Sequence, residues 1–365
     1  MALEEDLYAV MSQDVAQSRD DVPSKRVCTA LQACVLKDDV WTEVALGFAD
    51  LDHTPVTSTS VFDIASVTKL FTATLALIAV DQKRIDLETP LQRFFELAAP
   101  APSLLQLLNH SSGLPAWDKY YLRYPLVPTV EQAKRTRESV LAEILAVPRG
   151  EPGVAHVYSD LGYILLGRLV ERLFDDDLDV LMYAHICEPL ELRKTRYVNQ
   201  LRGDHPLAAV MTEETQGRPM PVQGVVHDEN CFIQGGVAGH AGLFSTAHDV
   251  AAFGCAMLRI FEGEVGIVST KTLRNAWSGA SRAPNGHHVA GWDTPSGAST
   301  SVGRGFARDA TYGHLGFTGT SLWIDVSKRV VAALMTNRVF PTRENPRIKD
   351  TRIRFHEAVL SPLGN

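Results

Sequence analysis

The run Phe62–Val80, F-D-I-A-S-V-T-K-L-F-T-A-T-L-A-L-I-A-V, sets Ser66 and Lys69 three residues apart where an extended segment turns into an apolar helix. On a helix that spacing puts both side chains on one face. A serine hydroxyl is a poor nucleophile until a base takes its proton, and a neighbouring deprotonated amine can do so. A free lysine titrates near a pKa of about 10.4. Burial beside Phe62, Ile64, Leu70 and Phe71 lowers that value, and an amine becomes a useful base at roughly 7 to 8. A bare S-x-x-K is expected by chance about once in a chain of this length, so the pair carries weight only in company.

Two other stretches supply that company. A serine-lysine pair needs a third group to pass a proton to the leaving atom and donors to hold a developing oxyanion. In G-V-A-H-V-Y-S-D-L-G-Y-I-L-L-G, Tyr158 stands at the entrance to a helix, with Ser159 and Asp160 beside it. In T-Y-G-H-L-G-F-T-G-T-S-L-W, Gly313, Gly316 and Gly319 let backbone amides come close to a ligand.

Taken together and in order, these motifs resemble the serine β-lactamase and penicillin-binding protein superfamily, in the branch of class C β-lactamases, D,D-peptidases and family VIII esterases. Ser66-Val-Thr-Lys69 matches S-x-x-K, Tyr158-Ser-Asp160 stands in the place of Y-x-N, and His314-Leu-Gly316 in the place of K-T-G. L-L-N-H-S-S-G-L and G-H-A-G-L-F-S-T are similar to that branch as well, so the likeness spans roughly residues 40 to 340. Tyr197-Val-Asn199 fits Y-x-N literally but lacks the P-G-x-x-x-x-Y context and the following helix, so Tyr158 is preferred. The resemblance implies Ser66 as acylated nucleophile, with Lys69 and Tyr158 sharing the acid and base work and the phenol's pKa lowered by the lysine. It further implies the backbone N–H groups of Ser66 and Phe317 as oxyanion donors, Asp160 orienting Lys69 or substrate, and His314 and Gly316 on the far wall of the cleft.

Two departures shape the expected chemistry. Asp160 replaces a neutral amide, so it accepts hydrogen bonds and holds Lys69 protonated more firmly. His314 and Leu315 replace the lysine and threonine that commonly bind a substrate carboxylate, which favours esters, amides or other neutral substrates. The leading expectation is an esterase-like serine hydrolase acting on a small molecule. A β-lactamase or D-alanyl-D-alanine-type peptidase stands second, and an inactive relative that only binds a partner third.

The elements around these motifs read as strand-rich ends enclosing a helical middle. A helix over Leu3–Gln17 precedes a hairpin of Val27–Leu36 and Trp41–Phe48. Short helices are expected at Leu104–Leu108 and Ser139–Val147, a longer one at Leu161–Phe174, and a long loop over Asn199–Asn230. Gly235–Gly242 lacks Walker spacing and reads as a tight backbone crossing before the helix capped at Thr246. Extended structure broken by Pro and Gly (Trp292–Ala307), a second hairpin (Ser321–Val326, Arg329–Thr336) and a helix near Asp350–Leu360 close the chain. The fold class is α+β and β-lactamase-like: an antiparallel sheet flanked by helices, with an inserted mostly helical domain. The sheet domain takes residues 1–60 and 265–365, the helical one 61–264, and the active site their interface.

Composition bounds the rest. The 365 residues are 45% hydrophobic and 21% charged, enough for a packed core, and the net charge of −8 without a basic stripe argues against nucleic acid. No apolar run reaches membrane-spanning length, and the acidic start M-A-L-E-E-D lacks a secretion signal. Five scattered cysteines suggest reduced thiols. These features favour the cytoplasm, or the periplasm if a leader has been removed. No cofactor and no metal are expected: His287 and His288 read as a surface loop and His240 as a locally bonded residue, while Tyr120 and Tyr121 are candidates for the cleft border.

Overall fold

Helix α1 (Ala2–Met11) is followed by a hairpin of strands β1 (Ala30–Lys37) and β2 (Val40–Gly47) in the computed structural model, which describes residues 2–18, 21–22, 25–215, 218, 222–296 and 300–360. Next come β3 (Phe62–Asp63), a 3₁₀ turn at Ala65–Val67, α2 (Thr68–Asp81), α3 (Leu104–Leu108), α4 (Val130–Ala146), α5 (Asp160–Phe174) and α6 (Leu178–Met182). Then follow β4 (Arg196–Tyr197), α7 (Glu229–Ile233), β5 (Leu243–Ser245), α8 (Ala247–Glu262) and α9 (Thr270–Ala276). The C-terminal part holds β6 (His288–Val289), β7 (Trp292–Asp293), β8 (Thr311–Leu315), β9 (Ser321–Asp325), β10 (Val330–Thr336) and α10 (Ile348–Leu360).

The two ends of the chain build one antiparallel sheet in the order β2-β1-β10-β9-β8-β7-β6. Strand β1, almost wholly buried, pairs with β10 from Leu31 opposite Thr336 to Leu36 opposite Val331. Strand β2 alternates exposed and buried positions, as an edge strand with one wet face does. Helices α1 and α10 cover one face, where Leu7, Met11, Phe355 and Val359 meet Leu31 and Trp323. Helix α8 covers the other against β1, β9 and β10, and joins the helical part through Phe253, which stacks on Phe71 of α2 at 4.1 Å. One continuous apolar core runs from the sheet through α8 and α2 to α5. The expected boundary at 264 therefore falls behind a helix that packs on the sheet. A small second sheet, β3-β5-β4, sits beside the 3₁₀ turn that carries Ser66.

Several boundaries differ from the sequence reading. Helix α1 stops at Met11 because Val15 leaves to bridge Cys28 in parallel. Helix α4 begins at Val130, ahead of Ser139, because Thr129 and Gln132 cap each other's backbone N–H groups. Of the extended segment Trp292–Ala307, Trp292–Asp293 forms β7, and 297–299 lie outside the described residues, as do 216–217 and 219–221 of the long loop. Among the described residues no helix is long and apolar enough to cross a membrane. All five cysteines are buried and unbridged.

The glycine run is a backbone crossing. A Cβ on Gly239 would stand 2.2 Å from the Tyr163 carbonyl oxygen and 2.9 Å from the Gly167 nitrogen, both on α5. Neither backbone atom can swing aside. Gly239→Ala should therefore cost about 1–3 kcal/mol in urea denaturation, whereas Gly279→Ala, with nothing within 4 Å of the added carbon, should stay within about 0.5 kcal/mol of the parent.

Candidate active site

The Ser66 turn is held in an unfavourable backbone conformation by its neighbours. Ala65 has φ of +46°, a left-handed geometry costing an L-residue about 1–2 kcal/mol. Buried Asp63 fixes it: one carboxylate oxygen accepts the Ala65 N–H at 2.8 Å, the other the His227 N–H at 2.6 Å. The Asp63 carbonyl takes the Thr318 hydroxyl at 2.8 Å and the Ile64 carbonyl the Thr320 hydroxyl at 3.0 Å, so the turn is bolted to the β8–β9 connection. Gly316 lies at this contact, where a Cβ would meet Thr320 Oγ1 at 1.9 Å and the Ile64 carbonyl at 2.6 Å. Sequence reasoning missed Asp63, which precedes Ser66 by three residues without any motif of its own.

Lys69, fully buried at the first turn of α2, reaches three oxygens. Its Nζ lies 2.9 Å from Ser66 Oγ, 3.1 Å from the His240 carbonyl and 2.7 Å from Asp160 Oδ1. An ammonium has three N–H donors, and each has an acceptor here. Burial alone pushes this amine down, but the Asp160 carboxylate, with Tyr158 adding to it, outweighs burial and raises it to about 12. The lowered value expected from the apolar flank is thus corrected: the flank is present, and Asp160 overrides it.

Tyr158, Ser159 and Asp160 are set by the loop after α3. Ser159 caps α5 by accepting the Gly162 N–H at 3.0 Å and donates its own hydroxyl to the Pro115 carbonyl at 2.6 Å. Its N–H goes to His110 Nδ1 at 3.0 Å, the Val157 N–H to the His110 carbonyl at 2.8 Å and the Asp160 N–H to the Ala116 carbonyl at 2.8 Å. The loop N-H-S-S-G-L-P-A-W is thus a cradle for the Tyr158 segment as well as a helix stop. Asp160 then falls in the first turn of α5, where the helix dipole favours a carboxylate. The Tyr158 ring lies with its centroid 4.9 Å from Lys69 Nζ, and its phenol faces Lys69 and Ser66. Burial raises the phenol's pKa and the Lys69 charge opposes this, with a net rise. The lowering expected from the lysine is present but smaller than the cost of desolvation. Tyr197 is elsewhere: it lies buried on β4 and donates to the Ala238 carbonyl at 3.1 Å.

Two cavities meet at Ser66, Tyr158 and Phe317. One, of about 310 Å³, is lined by Trp117, Asp160, His227, Asp228, Glu229 and Arg343. The other, of about 340 Å³, is lined by His287, His288, Asp293, His314, Leu315 and Gly316, with Arg338 and Arg352 also in its wall. Phe317 stacks on His227 and carries the Arg338 guanidinium 4.3 Å from its ring centre. His314 is buried and donates from Nδ1 to the Leu315 carbonyl at 2.7 Å. Burial, aided by the Lys69 charge, pushes it down to about 3. His288 is also buried, on β6, which corrects the surface-loop reading: pairing of β6 with β7 folds it against His110 and His156. His240 bonds locally, from Nε2 to Asp228 at 3.0 Å, but its carbonyl is a direct partner of Lys69. Trp117 borders the first cavity, while Tyr120 is buried behind it.

The family model described as Beta-lactamase matches residues 13–355. An "N-acetylmuramyl-L-alanine amidase" of Bacillus subtilis (strain 168) is 31% identical over 323 residues, covering 79% of this chain and 71% of the relative. A "Putative D-alanyl-D-alanine carboxypeptidase" of Salmonella paratyphi A is 29% identical over 319 residues, covering 80% and 72%. The solved structure titled "EstCE1, a hydrolase with promiscuous acyltransferase activity" superposes with a TM-score of 0.73 at 19% identity, covering 99% of both chains. The chain belongs to the β-lactamase family, with the antiparallel α+β fold of its structural neighbours.

Proposed function

We propose that this β-lactamase-family protein is a serine hydrolase that works through an acyl-enzyme at Ser66 and acts on small ester or amide substrates. The observation that carries the reading is the contact of Ser66 Oγ with a buried ammonium, beside the Tyr158 ring, where two cavities meet. Because Lys69 donates to Ser66 Oγ, the serine's own proton is free to point toward Tyr158. Lys69 stays charged, and the base is the Tyr158 phenolate, which that charge stabilises.

In the first half-reaction Ser66 Oγ bonds to the substrate carbonyl carbon and its proton passes to the phenolate. The backbone N–H groups of Ser66 and Phe317 face the oxyanion. The phenol then protonates the leaving oxygen or nitrogen as that bond breaks, leaving the acyl-enzyme and a phenolate. Water repeats the sequence and releases the acid. His314, held neutral, and apolar Leu315 supply no cation to the second cavity, whose fixed cations are Arg338 and Arg352, both hydrogen-bonded to backbone carbonyls; the ester preference rests on the residues at 314 and 315 alone.

A second reading takes its support from the relatives at 31% and 29% identity, whose names point to muramyl amide or D-alanyl peptide bonds. Side-by-side turnover of a short-chain chromogenic ester, nitrocefin, a D-Ala-D-Ala peptide and an N-acetylmuramyl peptide separates the two. A chromogenic ester should give a burst equal to one acyl group per chain, and intact-mass measurement should place that group on Ser66. Ser66→Ala should abolish both, and hydrolysis that survives the substitution would remove the proposal. A chain that neither turns over substrate nor takes a fluorophosphonate label at Ser66 would instead be a binding relative.

The pH dependence follows from the two raised groups. Tyr158 is protonated at neutral pH and Lys69 is charged below about 12, so the phenolate fraction, and with it kcat/KM, should climb through the neutral range into the alkaline. The Asp160 carboxylate raises both groups. Asp160→Asn should therefore move the rising limb to lower pH by about one unit or more, read from kcat/KM profiles on a non-ionising ester.

A further inference from the structure

Histidines cluster in and behind one wall of the second cavity. His110, His288 and His314 bring one ring nitrogen each within 4.8 Å of one another, and so do His156, His287 and His288. A neutral imidazole ligates a metal only through the nitrogen that lacks a proton, so the hydrogen bonds made by the other nitrogen decide which set can act.

In the first set His110 is disqualified. Its Nδ1 accepts the Ser159 N–H at 3.0 Å, so the lone pair at Nδ1 is committed and the ring proton sits on Nε2. The nitrogen left to face the cluster is a donor.

In the second set the assignment runs the other way. His287 Nδ1 contacts Asp293 Oδ1 at 2.6 Å, and a carboxylate only accepts, so the proton is on Nδ1 and Nε2 presents a lone pair. That is the carboxylate–histidine pairing that orients metal-bound imidazoles. His156 Nε2 and His288 Nδ1 lie 3.0 Å apart. Two nitrogens on a tetrahedral Zn²⁺, at about 2.0–2.1 Å from the ion, stand about 3.3 Å from each other, so the pair needs only a slight opening to share one. The protons then sit on His156 Nδ1 and His288 Nε2. His288 is held by the β6–β7 pairing, and Asp293, opposite it in that pairing, carries His287.

We propose that His156, His287 and His288, with Asp293 behind His287, form a binding site for a borderline transition-metal cation of the Zn²⁺ type. Three neutral nitrogens suit Zn²⁺, Co²⁺ or Ni²⁺ and do not suit Mg²⁺ or Ca²⁺, which take oxygen. His287, His288 and Asp293 line the cavity that also holds Ser66, so the ion borders that cavity. A fourth coordination position is left for water or an anionic group of a ligand. The site stands whether or not Ser66 is acylated.

The test is titration of the full chain, stripped with a chelator, with ZnCl₂ by calorimetry and with CoCl₂ by visible absorption. One ion per chain is expected, with a dissociation constant of about 1 µM or tighter and the intense ligand-field bands of four-coordinate Co²⁺. His156→Gln and His287→Gln should each weaken binding at least about 100-fold, and Asp293→Asn about 10- to 100-fold. His110→Gln should leave the affinity within about threefold, since His110 supplies no lone pair to the ion. Absent Zn²⁺ binding, the weak bands of octahedral Co²⁺ on the unaltered chain, affinity unchanged by His156→Gln and His287→Gln, or a loss confined to His110→Gln would each overturn the site. The Co²⁺ spectrum needs no variant and decides the matter even where a substitution impairs folding.

Discussion

The structure is organised around one buried positive charge. An ammonium taken out of water without partners costs several kcal/mol, and Lys69 escapes that cost by meeting an acceptor with each of its three protons. Those acceptors come from three different places: the turn before α2, the glycine crossing before β5 and the first residue of α5. None of them is near another in sequence. Bringing them together requires the Gly239 backbone to lie against α5, the His110 loop to hold Tyr158 and Asp160, and Asp63 to keep Ala65 in a strained conformation.

The charge divides the surroundings into two kinds of wall. On the Asp160 side lie carboxylates and arginines, including Asp228, Glu229 and Arg343. On the other side lie buried imidazoles that burial keeps neutral, helped by the Lys69 charge at His110 and His314 and by the neighbouring histidines at His288: His110 and His288 lie far below the usual histidine range, His314 at about 3. A cationic lysine in place of His314 would add a second positive charge beside the first. Arg338 and Arg352 line this side as well, so its positive charge comes from guanidinium groups rather than from imidazoles.

Much of this was legible in the residues. Ser66, Lys69 and Tyr158 were readable because spacing within a turn, and the order of three short motifs, survive without any knowledge of the fold. The sheet from both termini followed from β-rich ends, and Gly235–Gly242 read as a crossing because it lacks the residues that hold phosphate. The protonation states were harder to read. The sequence shows the apolar flank that lowers a lysine, and it shows Asp160, but the 2.7 Å contact that decides between them exists only in three dimensions. The same holds for His288, which looks like half of a polar loop until β6 pairs with β7, and for α4, whose polar first half has weak periodicity although Thr129 and Gln132 mark its start.

The protonation of Lys69 is therefore the point on which the account stands. With ¹³C-labelled lysine, the Cε resonance that disappears in Lys69→Arg can be followed against pH in the folded protein. The account predicts that this signal stays at its charged position through neutral pH and up to at least pH 10, the value at Lys69 being raised to about 12. A midpoint near pH 7–8, the range of a lysine acting as the resting base, would contradict it.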